Sequence, residues 1–129
     1  MANKFHNPKS VALAGKYALG CEVPAGARLM FVSGQVGLDS GGKLAQGIEA
    51  QCDQAWKNVG EVLKSAGMDY GDIVKMTTFL TDSRFIAANR TVRDKYIKEP
   101  YTASTLLIVQ ALADPSMLVE IEVTAARAG

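Results

Sequence analysis

The apolar stripe between Ile48 and Ala66 constrains the fold of this chain more than any other feature of its sequence. Its members recur at spacings of three and four residues, which is the repeat of an α-helix with one buried face. Gly67 follows directly, at the position where a glycine commonly ends a helix. The stripe consists of Ile48, Cys52, Ala55, Val59, Val62, Leu63 and Ala66. Such a helix depends on packing for most of its stability, so the flanking segments must supply an apolar surface.

Segments on both sides of this helix have the composition and the period of β-strands. The turn Val23-Pro24-Ala25-Gly26 separates the first two and suggests a hairpin. A second helix can be capped by Asp82 or Ser83 and run to about Lys98, because Pro100 prevents its continuation. The predicted strands are Ala18–Glu22, Arg28–Val36, Val74–Leu80, Ser104–Leu112 and Leu118–Ala125.

The resulting order, β-β-α-β-α-β-β, predicts an α+β fold with a mixed sheet and both helices on one face. The chain has 129 residues, without an internal repeat or a linker, which is the size of one domain spanning 1–129. Both faces of Ser104–Leu112 are substantially apolar. Because two helices can cover only one face, we expect the other face to be covered by self-association.

Charge and hydropathy exclude several classes of partner. Lys+Arg is 14 and Asp+Glu is 13, so the net charge is +1, and the basic excess typical of nucleic-acid-binding proteins is missing. No apolar run is long enough to span a membrane. The N-terminus lacks the apolar stretch of a signal peptide. These features predict a cytoplasmic protein that contacts neither nucleic acid nor a membrane.

Cysteine and histidine usage argues against a metal centre. Cys21 and Cys52 do not form a CxxC motif, and the one histidine, His6, stands near an end of the chain that we expect to be frayed. Free buried thiols are the interpretation we favour. A Ser-His-Asp triad would need a better placed histidine, and no phosphate-binding loop string occurs.

Three polar features stand on surfaces where core residues are expected. In the last strand Glu120, Glu122 and Thr124 point to one side, opposite Val119, Ile121, Val123 and Ala125. A carboxylate on a sheet face buried by association is costly to ionise, which indicates either a general base or a structural ion pair. A solvent-exposed face is the simplest alternative.

Asn89 and the string Ser33-Gly34-Gln35 are the other two features. Asn89 shares a helical stripe with Phe85 and Val92, so it must find hydrogen bonds inside the protein, whether to hold a loop or to support a site. Gly34 near a strand end allows another group to approach the backbone closely, or simply marks a β-bulge.

Four strings together resemble one known family. They are Val32-Ser33-Gly34-Gln35-Val36, Gly47-Ile48-Glu49-Ala50-Gln51, the segment 73–82 and Leu118-Val119-Glu120-Ile121-Glu122. In this order, over roughly residues 10–126, they are similar to the YjgF/Rid (reactive intermediate deaminase) family.

The resemblance implies a chorismate-mutase-like fold and a homotrimer whose sheets face inward as a barrel. It implies small-molecule clefts between subunits and hydrolysis of reactive enamines and imines, such as 2-aminoacrylate, to a keto acid and ammonia. No metal and no bound cofactor take part in that chemistry. By the same resemblance, Tyr17 closes the cleft, Ser33 and Gly34 lie beside the ligand, Asn89 is the helix asparagine of the family, and Glu120 holds the attacking water.

One position departs from the family pattern. Deaminating members carry an arginine that opens the next-to-last strand and grips the substrate carboxylate. Counting back from Leu112 places Ser104 there, and a shift of one residue places Ala103 or Thr105 there instead. Neither hydroxyl can reproduce a bidentate guanidinium contact. Ser104, with Thr105 beside it, is therefore a predicted ligand contact that lacks the clamp, and we expect weak or no activity on 2-aminoacrylate.

Three functions remain open at this point. The first is a trimeric imine or enamine deaminase, and the second is a metabolite-binding or regulatory trimer that has lost the chemistry. The third, a ribonuclease or translation inhibitor, is disfavoured by the net charge and by the lack of a catalytic histidine.

Overall fold

A computed structural model describes residues 2–129 and contains two helices and six strands in that range. The elements are β1 (Lys4–His6), β2 (Gly20–Glu22), β3 (Arg28–Gln35), α1 (Ile48–Ser65), β4 (Ile73–Leu80), α2 (Ile86–Tyr96), β5 (Ala103–Ile108) and β6 (Val119–Arg127). Short 3₁₀ turns precede β4 and α2.

The main sheet has the strand order β3-β6-β4-β5. β6 is antiparallel to both of its neighbours, whereas β4 and β5 are parallel and are connected through α2. α1 packs on β6 and β3, α2 packs against α1, and Val92 of α2 belongs to the same core. The predicted α+β class with a mixed sheet and both helices on one face is confirmed.

β6 supplies the centre of that core. Val119, Ile121, Val123 and Ala125 are each at most 4% exposed and face the helices. Glu120, Glu122 and Thr124 therefore point to the opposite side of the sheet, as strand alternation predicts.

The buried face of α1 is rotated from the predicted stripe. Trp56 is fully buried, whereas Ile48, Val62 and Ala66 are only half-buried. Trp56 stacks on Tyr96 and meets Tyr70 edge-on, with both ring centroids 6.2 Å away. These aromatic contacts, which a repeat of aliphatic residues does not reveal, decide which side of the helix is buried.

The predicted hairpin between the first two strands is wrong. β2 pairs with β1, with Phe5 opposite Cys21, so the N-terminal segment takes the place that β3 would have had. The expectation of a frayed end at His6 is wrong for the same reason, and its Nε2 lies 2.8 Å from Oε1 of Glu22. β1 forms backbone hydrogen bonds with β2, but a strand of three residues is too short to show a periodic pattern in the sequence.

Two predicted boundaries also shift. β5 ends at Ile108 rather than Leu112, because its partner β4 ends at Leu80 and the last bond runs from the Val109 N–H to the Leu80 carbonyl. Asp82 is the predicted cap, and its carboxylate accepts from the N–H of Arg84, but it caps a 3₁₀ turn that leads into α2.

Both cysteines are free. Cys52 is completely buried, and burial first, then the charges of Glu49 and Asp53, raise the pKa of its thiol to about 12. Cys21 is only half-buried, and burial raises the pKa of its thiol as well. Both thiols are therefore predominantly protonated at neutral pH and poor nucleophiles.

Gln51 of α1 connects the helix to the start of β6. Its side chain is buried, donates from Nε2 to the Ser116 carbonyl at 3.0 Å and accepts at Oε1 from the Leu118 N–H at 2.8 Å. These two bonds satisfy the backbone just before β6 and hold the strand that carries Glu120 against the helix.

We predict that Gln51→Ala lowers the free energy of unfolding by about 1–2 kcal/mol, because it leaves the partly buried N–H of Leu118 and the carbonyl of Ser116 without their partner. Urea denaturation monitored by circular dichroism measures the change. Gln46→Ala is the matched control, since Gln46 is exposed, and we expect an effect within about 0.5 kcal/mol. Equal stabilities of the two variants would contradict this role for Gln51.

Candidate functional site

The side of the main sheet that faces away from the helices carries the candidate site, and we call it the open face. Strand alternation and the register show which side chains lie on this face. For example, Thr77 pairs with Glu122 on one side and with Thr105 on the other. The open face is formed by Leu29, Phe31, Lys75, Thr77, Phe79, Thr105, Leu107, Glu120, Glu122 and Thr124.

Glu120 lies directly over the backbone of Gly34. The register between β3 and β6 shifts between Val32 and Gln35, so Ser33 and Gly34 together face one residue of β6. This is the β-bulge that the sequence left open as an explanation for Gly34. A Cβ built on Gly34 would lie 2.7 Å from Cδ and 2.9 Å from Cγ of Glu120. In this arrangement the Glu120 side chain occupies the space that a Cβ at Gly34 would take.

The carboxylate of Glu120 is half-buried and unpaired. Among residues 2–129, no Lys, Arg or His nitrogen lies within 4.0 Å of it, and no side chain or backbone group donates a hydrogen bond to it. A carboxylate with free lone pairs can accept a proton from water. Ser33, which precedes Gly34, has an exposed side chain beside it.

The register separates Ser104 from Thr105. Ser104 pairs with Met76 and so lies on the helix side of the sheet, whereas Thr105 pairs with Thr77 and lies on the open face. A ligand contact by Ser104 stays a prediction. Of the positions that the sequence left open for the arginine, Ala103 and Thr105 lie on the face that carries Glu120, and Thr105 is the one of these two with a polar side chain.

Tyr17 lies near the beginning of β5. The neighbouring Ala18 forms a bridge with Ala103, and its N–H donates to the Thr102 carbonyl at 2.9 Å. The Tyr17 hydroxyl accepts from the Ala14 N–H at 3.3 Å, which ties the loop back on itself. Tyr17 and Thr105 are thus brought to the same edge of the sheet.

Asn89 is buried in the helix layer and is not brought to the open face. It is 2% exposed, and the thiol of Cys52 lies 3.8 Å from its Oδ1, as a weak donor. Within one chain it connects α2 to α1. This contact joins two helices, so the two roles that the sequence allowed, holding a loop and supporting a site, both stay predictions.

The candidate residues therefore fall at the two opposite edges of the sheet. Ser33, Gly34 and the carboxylate of Glu120 lie at the β3 edge, and Tyr17 and Thr105 lie at the β5 edge. Two strands separate these edges within one chain.

Sequence reasoning did not assign a function to Lys75. Its ammonium donates a hydrogen bond to Oγ1 of Thr105, and it lines a hollow of about 170 Å³ with Phe31 and Glu122. Burial lowers the pKa of the Lys75 ammonium, and the charge of Glu122 partly offsets that effect. The alternation along β4 was a usable signal, because it placed Lys75 opposite the core residues.

Large apolar side chains are exposed around these polar groups. Phe31 is 75% exposed and Leu29 54%, both on the open face. Exposed aromatic and aliphatic groups in one patch are typical of an association surface. The uncovered sheet face expected from the sequence is present in the structure of the single chain.

Neither a metal centre nor a membrane helix is found in the part of the chain that the structure describes. No three His, Cys, Asp or Glu side chains in residues 2–129 are grouped as metal ligands would be. Neither helix in that range has the length and hydropathy needed to span a bilayer.

Comparisons with known proteins agree with this architecture. Residues 9–127 match the family model described as "Endoribonuclease L-PSP". The mouse protein named 2-iminobutanoate/2-iminopropanoate deaminase is 36% identical over 119 residues, which cover 91% of this chain and 85% of that protein.

Two solved structures are similar over most of their length. The Yersinia pestis protein YyfB, of the conserved Rid protein family, has a TM-score of 0.85 at 29% identity and covers 98% of this chain and 100% of its own. TdcF from E. coli, solved with bound serine, has a TM-score of 0.72 at 29% identity, with coverages of 89% and 91%.

We predict that Gly34→Ala destabilises the protein by about 1–2 kcal/mol, because the new methyl group collides with Glu120. The backbone at Gly34 does not have a positive φ, so alanine itself is compatible with it. In a Glu120→Ala background the same substitution should cost almost nothing. Denaturant unfolding of the four proteins measures the coupling. A cost that persists without the Glu120 side chain would contradict the proposed contact.

Proposed function

The chain belongs to the endoribonuclease L-PSP family, also called YjgF/Rid, and from this membership we propose that it hydrolyses a small reactive imine or enamine to a carbonyl compound and ammonia. The observation that carries the proposal is the unpaired carboxylate of Glu120, which lies over Gly34. A relative that is 36% identical is named as a deaminase of 2-iminobutanoate and 2-iminopropanoate, which supports this substrate class.

In the proposed reaction, Glu120 acts on water. The carboxylate accepts a proton from a water molecule while the oxygen attacks the C=N carbon, and Glu120 passes that proton to the nitrogen to complete a carbinolamine. Glu120 then takes the proton of the carbinolamine hydroxyl and transfers it to the nitrogen as the C–N bond breaks, so that ammonia leaves and the carbonyl forms. An enamine enters the same sequence after a proton adds to its terminal carbon.

The ligand would bind in a cleft between two copies of the chain in a trimer. The exposed Phe31 and Leu29 and the separation of the candidate residues at opposite sheet edges support this arrangement. The β3 edge of one copy would supply Ser33 and Glu120, and the β5 edge of the next would supply Tyr17 and Thr105, with Ser104 beside it.

The residues at the β5 edge also set the expected substrate preference. Where the resemblance implies an arginine, the sequence count places Ser104, or Thr105 after a shift of one residue, and either offers one neutral hydroxyl. A bidentate contact between arginine and a carboxylate is worth about 2–5 kcal/mol when it is buried. We therefore propose that the activity on 2-aminoacrylate is weak compared with that of arginine-bearing relatives.

We predict that Glu120→Gln lowers kcat for hydrolysis of 2-iminopropanoate by about 100-fold or more, because the amide cannot accept the proton of the attacking water. The imine is generated in solution from alanine by an amino-acid oxidase, and its decay is followed spectroscopically. Glu22→Gln is the matched control, since Glu22 lies in the separate β1–β2 sheet.

Sedimentation velocity of both variants checks that the trimer and its stability are retained. Equal turnover by wild-type protein and Glu120→Gln would refute the catalytic role. A protein that binds small keto acids in this cleft, yet hydrolyses none of a panel of imines, would be a binding or regulatory module instead.

We predict that Thr105→Arg raises kcat/KM for 2-iminopropanoate by about 10-fold or more, because it places a guanidinium on the open face. Ser104→Arg is the matched comparison. Its side chain starts on the helix side of the sheet, where burial of a charge is costly, so we expect lower stability and no gain. A gain from Ser104→Arg alone would show that Ser104, as the sequence count suggested, is the ligand position.

A further inference from the structure

The chain that leaves β3 is held by the main sheet only as far as Gln35. β3 is an edge strand that pairs with β6 alone, and their register is irregular just before Gln35. The loop that follows, residues 36–46, lies outside the main sheet, and we call it the exit loop. The position of Ser33 and Gly34 relative to Glu120 on β6 therefore depends on what holds the exit loop.

One side chain of α1, Asn58, holds the exit loop. It is half-buried, and its Nδ2 donates to the Val36 carbonyl at 3.1 Å and to the Leu38 carbonyl at 2.8 Å. Its Oδ1 accepts from Nε2 of Gln54 at 2.8 Å, one turn earlier on the helix. An amide has two N–H donors, and here both are used on the exit loop. An ionised aspartate of the same size has no donor and could form neither bond.

Little else attaches the exit loop to the rest of the protein. In the chain from residue 2 onwards, the other hydrogen bonds of residues 37–46 stay within the loop. Gly37 is buried against α1, where a Cβ would lie 2.7 Å from Cα of Gln51. A hollow of about 710 Å³ lies between the loop and α1, and Gly34, Leu38 and Asn58 are among the residues that line it. The loop therefore has room to move once the two bonds from Asn58 are removed.

The same helix also holds the start of β6. Gln51 bonds to the backbone of Ser116 and Leu118, just before the strand that carries Glu120. Gln51 and Asn58 are seven residues apart, which is about two turns, so they lie on the same side of α1. One side of one helix thus holds both the end of β3 and the beginning of β6.

We propose that Asn58 is a positioning residue for the candidate site: by holding the exit loop on α1, it sets where Ser33 and Gly34 lie relative to Glu120. Asn58 acts through the backbone and takes no part in the reaction itself. Its effect on hydrolysis rests on the proposed function, whereas its effect on the contact between Gly34 and Glu120 does not. A misplacement of about 1 Å is enough to lower a rate about 100-fold, because reacting groups must stay aligned.

A double-mutant cycle tests the placement without any turnover. Gly34→Ala and Glu120→Ala should be coupled in the wild-type background, because the new methyl group meets the glutamate side chain. In an Asn58→Ala background the end of β3 is free to move away, so we expect this coupling to fall by at least half. Unfolding in urea at one fixed protein concentration measures it. An unchanged coupling, or no coupling in the wild-type background, would overturn the inference.

Ile73→Val is the control for a general loss of stability. Ile73 is buried at the opposite end of β4 from Phe79, the partner of Glu120. Its substitution removes a methyl group from the core and leaves the exit loop attached, so the coupling should be unchanged. Gln54→Ala is the second control, because both bonds from Asn58 to the exit loop remain, and it should keep most of the coupling.

Kinetics test whether the placement matters for hydrolysis. Asn58→Ala should lower kcat for 2-iminopropanoate by about 10-fold or more, with KM changed by less than about threefold. In a Glu120→Gln background the same substitution should lower the remaining kcat by less than about twofold, because Asn58 acts through the placement of Glu120. Equal losses in both backgrounds, or an equal loss in Ile73→Val, would show a merely structural role and overturn the inference.

Two further variants of the same residue complete the test. Asn58→Asp keeps the size of the side chain but presents acceptors to two carbonyls, so it should lose at least as much coupling as Asn58→Ala. If Asn58→Ala does not fold, Asn58→Ser, which keeps one donor, replaces it in every measurement and should lose part of the coupling and of kcat. Full coupling in Asn58→Asp would overturn the inference.

The outcomes separate this inference from the proposed function. If wild-type protein hydrolyses no imine but the coupling falls in Asn58→Ala, the proposed function fails and the placement of β3 by Asn58 stands. If imines are hydrolysed and Asn58→Ala keeps both the coupling and kcat, the positioning role fails alone. If the coupling falls while kcat is unchanged, Asn58 holds the exit loop without any effect on hydrolysis, and its role in the site is overturned.

Discussion

The alternation of side chains along β6 is the constraint on which the rest of the structure depends. One set of residues, from Val119 to Ala125, anchors the sheet to α1 and forms the centre of the core. The other set carries Glu120 and Glu122 to the face that the helices leave uncovered. Because β6 is central in the sheet and paired on both sides, its register is firmly specified. The register in turn determines where along the sheet Glu120 and Glu122 lie.

The two edges of the sheet on either side of this strand carry different chemical groups. The bulge at Ser33 and Gly34 makes room for a carboxylate at one edge. The other edge combines a hydroxyl, a tyrosine loop and the ammonium of Lys75. The exposed side chains of Phe31 and Leu29 on the same face are typical of an association surface.

Much of this could be predicted from the sequence because long periodic segments determine it. The pattern of β6 and the length of α1 identified the sheet side of Glu120 and the helix layer, and the family resemblance was specific because four strings occurred in order. The hairpin was wrong because pairing of a three-residue strand such as Lys4–His6 leaves no periodic signal. The buried side of α1 was misjudged because Trp56 packs with two tyrosines from other elements, and such contacts are not local.

The bonds from Gln51 to the backbone at Ser116 and Leu118 have a consequence for how this chain is aligned with its relatives. These bonds fix where β6 begins, and the pairing of β5 with β4 fixes where β5 ends. Residues 109–115 connect these two points, so a change in the length of this connection would leave β5 and β6 in place. Equivalence across this connection follows strand pairing, not residue counting.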